Sequence, residues 1–132
     1  MFESESKIYN VFISHISQNE EEYDLLIEKL STASEFEFKN YGMLEGDITS
    51  EKELQEQIDP VGIVIILSGL YNKYKSIIKK QIDVAKKLSK PIIVIRPYGM
   101  EDVPSELEEI AVDVVGWNAP CIVDDIIENY VE

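Results

Sequence analysis

The stretch VGIVIIL, Val61–Leu67, runs seven residues without a polar side chain. A strand with one wet face would alternate polar and apolar residues; an unbroken Ile/Val run belongs to a strand covered on both faces. It is far too short to span a bilayer. A second such run, IIVI, lies inside KPIIVIRPYG at Lys90–Gly99, and a third, KIYNVFIS at Lys7–Ser14, is rich in β-branched and aromatic residues. Strands of this kind, separated by helices, predict a parallel sheet with helices on both sides.

Working outward, helix-period segments fill the gaps. QNEEEYDLLIEKLSTA places Tyr23, Leu26, Ile27 and Leu30 at helical spacing, with acids in the first turn where the helix dipole favours them. FEFKN is a short strand, and YGMLEGDITS a glycine-containing loop. Ser50 (or Thr49) caps the helix EKELQEQI, with Glu53 completing a capping box. PVGIVIILSG and KPIIVIRPYG are the two buried strands, with the helix YKSIIKKQIDVAKKLSK between them. Pro104 opens a short helix through about Ile110. AVDVVGW gives a last strand and APCIVDDIIENYV a last helix, with Pro120 in its first turn. The pattern is β-α five times over. The fold expected is α/β: one domain over residues 1–132, a doubly wound, flavodoxin-like five-stranded parallel sheet in the order 2-1-3-4-5 with a helical layer on each face.

Bulk properties narrow the function. The 132 residues suffice for a sizeable core, and 45% hydrophobic content argues against wholesale disorder. The net charge of −14 repels phosphate backbones, which argues against nucleic acid as a partner. Lys73–Lys90 is the exception, with seven lysines and one acid, Asp83. That segment reads as a solvated helix face, or more sharply as a patch for self-association or an acidic partner. No basic stretch followed by an apolar core opens the chain, so neither a signal peptide nor a membrane segment is expected. The single cysteine, Cys121, permits no internal disulfide and fits a reducing cytoplasm. It reads as a small buried hydrophobe at a helix start.

In such sheets ligands bind beyond the carboxyl ends of the strands, where the strand order reverses. Ser14 and His15 follow the first strand; Lys39, Asn40, Tyr41 and Gly42 end the second; Ser68, Gly69, Leu70 and Tyr71 follow the third; Arg96, Pro97, Tyr98 and Gly99 follow the fourth. Hydroxyls, amides, aromatic rings and two cations therefore collect on one rim. Neither a dinucleotide glycine fingerprint nor a P-loop is present. The acids of a phospho-acceptor receiver are missing after the first and third strands. A lone His15 and Cys121 make no metal site, and Ser14–His15 lacks the third group that a serine nucleophile needs.

One residue stands out. Wound at about 100° per residue, Tyr74–Lys90 sorts Ile77, Ile78, Ile82, Ala85 and Leu88 onto one arc and the lysines onto the other. Gln81 falls near the middle of the apolar arc. Buried without a partner, its amide would cost ~1–3 kcal/mol. It is either a core glutamine with a partner or a side chain looking into a pocket. The helix begins at the carboxyl end of the third strand, which favours the pocket.

VFISH at Val11–His15, FKNY at Phe38–Tyr41, VIILSGLYNKY at Val64–Tyr74, QIDVAKKLSKPIIVIRPYG at Gln81–Gly99 and VVGWN at Val114–Asn118 together resemble the TIR-like domain family. Its members include the TIR proteins of the Thoeris anti-phage system and small archaeal flavodoxin-like relatives. The resemblance implies cleavage of the nicotinamide–ribose bond of NAD, with NAD a substrate and no other cofactor. It also implies conversion of the ADP-ribose part into a signalling nucleotide read by a separate effector protein. It places Ser14 and His15 as ligand hydrogen-bonders, Tyr71 and Tyr74 as walls of the nicotinamide end, and Lys39 or Arg96 at the pyrophosphate, with Asn40, Tyr41, Ser68 and Gly69 completing the rim. The family glutamate, in a W-x-x-x-E pattern, maps onto Gln81, and the tryptophan onto Ile77; both depart. An amide cannot stabilise an oxocarbenium-like ribose as a carboxylate does, at a typical cost of ~10²–10³ in rate. Gln81 is open to three histories: a substitution made to trap substrate, a natural loss that leaves a nucleotide-binding module, or a plain core residue. The missing tryptophan speaks against the first, and the matching rim against the last. A non-catalytic nucleotide-binding or protein-interaction module is the alternative function, and a homo-oligomer is possible.

Overall fold

The computed structural model describes residues 7–14, 21–33, 36–42, 50–71, 74–97 and 102–132. Five strands are present: β1 (Ile8–Ile13), β2 (Glu37–Asn40), β3 (Ile63–Leu67), β4 (Ile92–Ile95) and β5 (Asp113–Val115). They form one all-parallel sheet in the order β2-β1-β3-β4-β5. The expected α/β architecture and strand order are what the chain adopts. Register sets Val11 opposite Ile63 and Ile13 opposite Ile65, while Val64 through Leu67 face Ile92 through Ile95.

The apolar runs explain the middle of this sheet. Every residue of β3 and β4 is buried, as a strand flanked by strands and sandwiched by helices requires. At the edge, β2 alternates exposed and half-buried residues, and β5 pairs over three residues only, fewer than Ala111–Trp117 would allow.

The helices are α1 (Glu21–Ser31), α2 (Glu51–Ile58), α3 (Ser68–Tyr71), α4 (Lys75–Lys87), α5 (Ser105–Ile110) and α6 (Ala119–Asn129). They cover both faces of the sheet, with α1 against α6 and α2 against α4. Local chemistry sets their ends. The Ser50 side chain accepts from Glu53 N at 3.2 Å, and Asn118 Oδ1 from Cys121 N at 3.1 Å, each relieving an unpaired amide of a first turn. The end of α4 closes with Ser89 N on Lys86 O and Lys90 N on Ala85 O, Ser89 taking the left-handed conformation at φ 60°.

Two details depart from expectation. The four residues SGLY form a separate helical turn, α3, directly after β3. Cys121 is exposed, correcting its reading as a buried hydrophobe. Ile122, Asp125 and Ile126 define the inward face of α6, and residue 121 lies about 100° around the helix from Ile122.

Candidate functional site

At the carboxyl edge β1 and β3 lie side by side, with Ser14 N donating to Ile65 O at 2.9 Å. This fixes Ser14 directly beneath the crevice. Its hydroxyl donates to Gln81 Oε1 at 2.7 Å, and both residues are wholly buried. Gln81 thus has the partner that a core glutamine requires, but at one end only: its Nε2 has none. Ser68 Oγ, just past β3, is likewise buried and unpartnered. Two orphaned polar atoms at one sheet edge are costly, ~1–3 kcal/mol each, and such atoms in a native fold ask for a ligand or an ordered water.

Asn40 closes the neighbouring side. Its Oδ1 accepts from Ile13 N at 3.1 Å and Gly42 N at 2.8 Å, and its Nδ2 donates to the Tyr23 hydroxyl at 2.8 Å. This amide clamps the end of β1, the turn after β2 and α1 together, so most of its hydrogen-bonding capacity is spent inside the fold. Burial raises the pKa of Tyr23 above the ordinary tyrosine value, against the pull of the Asn40 bond. Gly42 is obligatory here, since a β-carbon would fall 2.3 Å from Ile13 O.

Gly69 is the second residue of α3, and the space its missing side chain leaves is taken by another residue. A β-carbon there would lie 2.4 Å from each carboxylate oxygen of Glu22, which reaches over from the first turn of α1. The crevice between the β1 and β3 ends is therefore bordered by Ser14, Gln81, Ser68, Gly69 and an acid that the sequence reading treated only as a dipole partner.

The aromatic and cationic residues separate into different settings. Tyr71 is only 1% exposed. Lys75 Nζ lies 5.5 Å from its ring centroid, and Lys75 pairs with Glu106 of α5 at 3.3 Å. Burial, then the Glu106 carboxylate, raises the Tyr71 pKa; the Lys75 hydrogen bond lowers that of Glu106. Tyr74 is half-buried against the core at the start of α4, and Tyr41 is half-buried beside Lys39, whose ammonium lies 4.9 Å from its ring centroid. Lys39 and Arg96 are both exposed, but they stand on β2 and after β4, three strand spacings apart, roughly 14 Å. Arg96 fixes the sheet through its backbone, donating to Val115 O at 2.9 Å and accepting from Trp117 Nε1 at 2.7 Å. His15 lies outside the described residues.

Sequence reasoning also missed a carboxyl pair on the far side of the sheet. Asp125 is 6% exposed and stands against Asp113 of β5, with Asn129 Nδ2 donating to its Oδ1 at 3.2 Å. Burial first, then the Asp113 carboxyl, pushes its pKa up to about 7. The two are distant in sequence and only the fold unites them.

A cavity of about 460 Å³ opens between α2 and α4, lined by Ser50, Glu51, Leu54, Lys80, Asp83 and Lys87 among others. Its mixed charges, with Lys87 paired to Glu51 at 3.4 Å, give it no anion preference, and its lining does not include Ser14 or Gln81. Among the described residues, no helix is long and apolar enough to cross a membrane, and no group of three His, Cys, Asp or Glu is suited to a metal ion.

No curated protein matches the chain. A family model does: that of the Thoeris protein ThsB, TIR-like domain, matches residues 12–102. The matched segment covers most of the chain and holds the end of β1 and all of β2, β3 and β4, including Ser14, Asn40, Ser68, Gly69 and Gln81. The chain belongs to the TIR-like domain family of the Thoeris protein ThsB.

Proposed function

We propose that this chain binds an NAD-type dinucleotide in the crevice above β1 and β3, as a TIR-like domain of nucleotide-based anti-phage signalling. The observation that carries this reading is the Ser14–Gln81 pair, wholly buried at the carboxyl edge with Gln81 Nε2 left unpartnered. Gln81 occupies the position at which the family resemblance puts a glutamate. Its amide has the shape of that glutamate without the charge. The free Gln81 N–H groups and the Ser68 hydroxyl suit acceptors such as ribose oxygens or a carboxamide, with Tyr41 and Tyr74 as further contacts, either Lys39 or Arg96 reaching the pyrophosphate, and His15 assigned to the ligand by the family resemblance alone.

In this proposal the reaction is cleavage of the nicotinamide–ribose bond, after which the ADP-ribose part becomes a nucleotide message for a separate effector in the cytoplasm. NAD is substrate; no other cofactor is invoked. Residue 81 cannot itself supply the charge that cleavage needs, which favours a second reading, a non-catalytic nucleotide-binding or assembly module. Thermal unfolding with NAD and ADP-ribose, and nicotinamide release by Gln81→Glu, test both. A rise in melting temperature with either nucleotide is expected, as is nicotinamide release by the variant. Binding without release leaves the module; the absence of both effects refutes dinucleotide recognition.

A further inference from the structure

The cavity between α2 and α4 has an apolar floor and a charged wall. Leu54 and Val84 form the floor and are almost wholly buried. Its volume, about 460 Å³, lies in the range of pockets that hold small ligands. Two contacts tie the helices around it: Lys87 pairs with Glu51 at 3.4 Å, and Lys90 Nζ donates to Asp59 O at 2.9 Å. Lys80 and Asp83 remain. Both are exposed and both line the cavity, and among the described residues neither has a hydrogen-bond or ion-pair partner. Asp83 is the one acid among the seven lysines of Lys73–Lys90. It stands one turn from Lys80 on one side and from Lys87 on the other, positions from which helical neighbours ordinarily pair. It pairs with neither, and Lys87 turns across the cavity to Glu51 instead. The lining thus keeps one free cation and one free anion, about 5–6 Å apart at their β-carbons, above an apolar floor. An anion site would exclude an acid at this point, and a cation site would exclude the lysines.

We infer that this cavity binds a small zwitterion, an α-amino acid with an apolar side chain. Its carboxylate faces Lys80, its ammonium faces Asp83, and its side chain lies on Leu54 and Val84. Burial of that side chain supplies the affinity, while the two charges select for a molecule that carries both. The site is separate from the dinucleotide crevice, because its lining includes neither Ser14 nor Gln81.

The test titrates the full chain with L-leucine, L-valine and L-phenylalanine, following the backbone amide resonances by NMR. N-acetyl-L-leucine, which lacks the cation, and L-leucinamide, which lacks the anion, are the controls. Saturable shifts centred on α2 and on the Lys80–Lys87 segment of α4 are expected, with both leucine analogues binding about tenfold more weakly or worse. Lys80→Met and Asp83→Asn, at exposed positions where the fold is undisturbed, should each weaken L-leucine by a similar factor. No saturable response to any of the three amino acids overturns the inference, as do shifts centred elsewhere. So does equal binding of either blocked analogue, or an affinity in either variant within about threefold of the unaltered chain. None of these outcomes touches stabilisation by NAD or ADP-ribose, so the dinucleotide reading stands or falls separately.

Discussion

The two ends of the sheet are built on opposite terms. At the amino end, Gly62 N donates to Asn10 O at 2.9 Å, Val131 N to Gly62 O at 3.0 Å, and Asn10 N to the Tyr130 hydroxyl at 3.0 Å. Tyr130 meets Tyr9 edge-on with centroids 4.9 Å apart, and Lys7 lies over both rings while pairing with Glu132. Polar groups there find partners, and the aromatic rings fill the remaining space. At the carboxyl end, Gln81 Nε2 and Ser68 Oγ are buried without partners. A fold that satisfies one end and leaves the other wanting has sacrificed stability where a ligand can restore it.

That contrast can be broken most forcefully at the amino end. A β-carbon on Gly62 would fall 2.4 Å from the Tyr130 ring, so Gly62→Ala is expected to cost about 1–3 kcal/mol by overpacking. Urea unfolding measures it, and an unchanged midpoint would mean that the end is loosely packed. The Asp113–Asp125 pair offers a pH-resolved test away from both ends. Asp125 has a folded pKa of about 7, raised above the ordinary aspartate value of about 4. The folded chain therefore holds a proton that the unfolded chain releases in this window. Stability is greatest below about pH 4 with respect to this group, and is lost as pH rises through about 7. Asp125→Asn, whose amide can donate to Asp113, is expected to flatten that slope and to gain ~1–2 kcal/mol at pH 8, read from melting temperatures at pH 5 and 8. A slope that survives the substitution would assign the titration elsewhere. The smallest effect should come from Ser14→Ala combined with Gln81→Leu. Replacing both partners with apolar groups removes the orphan as well as the bond, so stability should change by less than about 1 kcal/mol, while the nucleotide-induced shift disappears. A large destabilisation would make the pair a structural bond and nothing more.

The fold was legible because its signals are local and redundant. Unbroken Ile/Val runs marked β3 and β4, and Ser50 marked the start of α2 to the residue. The short turn α3 gave no periodicity to detect, since four residues containing a glycine carry none. For the site, the position and polarity of Gln81 were legible; its bond to Ser14 was not, because residues 67 positions apart meet only through the crossover. Tyr23 fitted the inward face of α1 so well that its hydroxyl, the partner of Asn40, went unread. Glu22 was masked in the same way by its suitability for a helix start.

The pairing of β4 with β5 bears on how this protein can be cut. The family match stops at residue 102, yet Ile93 through Ile95 are paired with Asp113 through Val115, Val112 N donates to Ile92 O, and Ile122 and Ile126 are buried in the core. A fragment trimmed to the matched segment would bare a flat, wholly apolar strand edge, the usual template for strand-to-strand aggregation. The recognisable unit and the folded unit differ by most of β1 at one end and by α5, β5 and α6 at the other, and expression boundaries should follow the second.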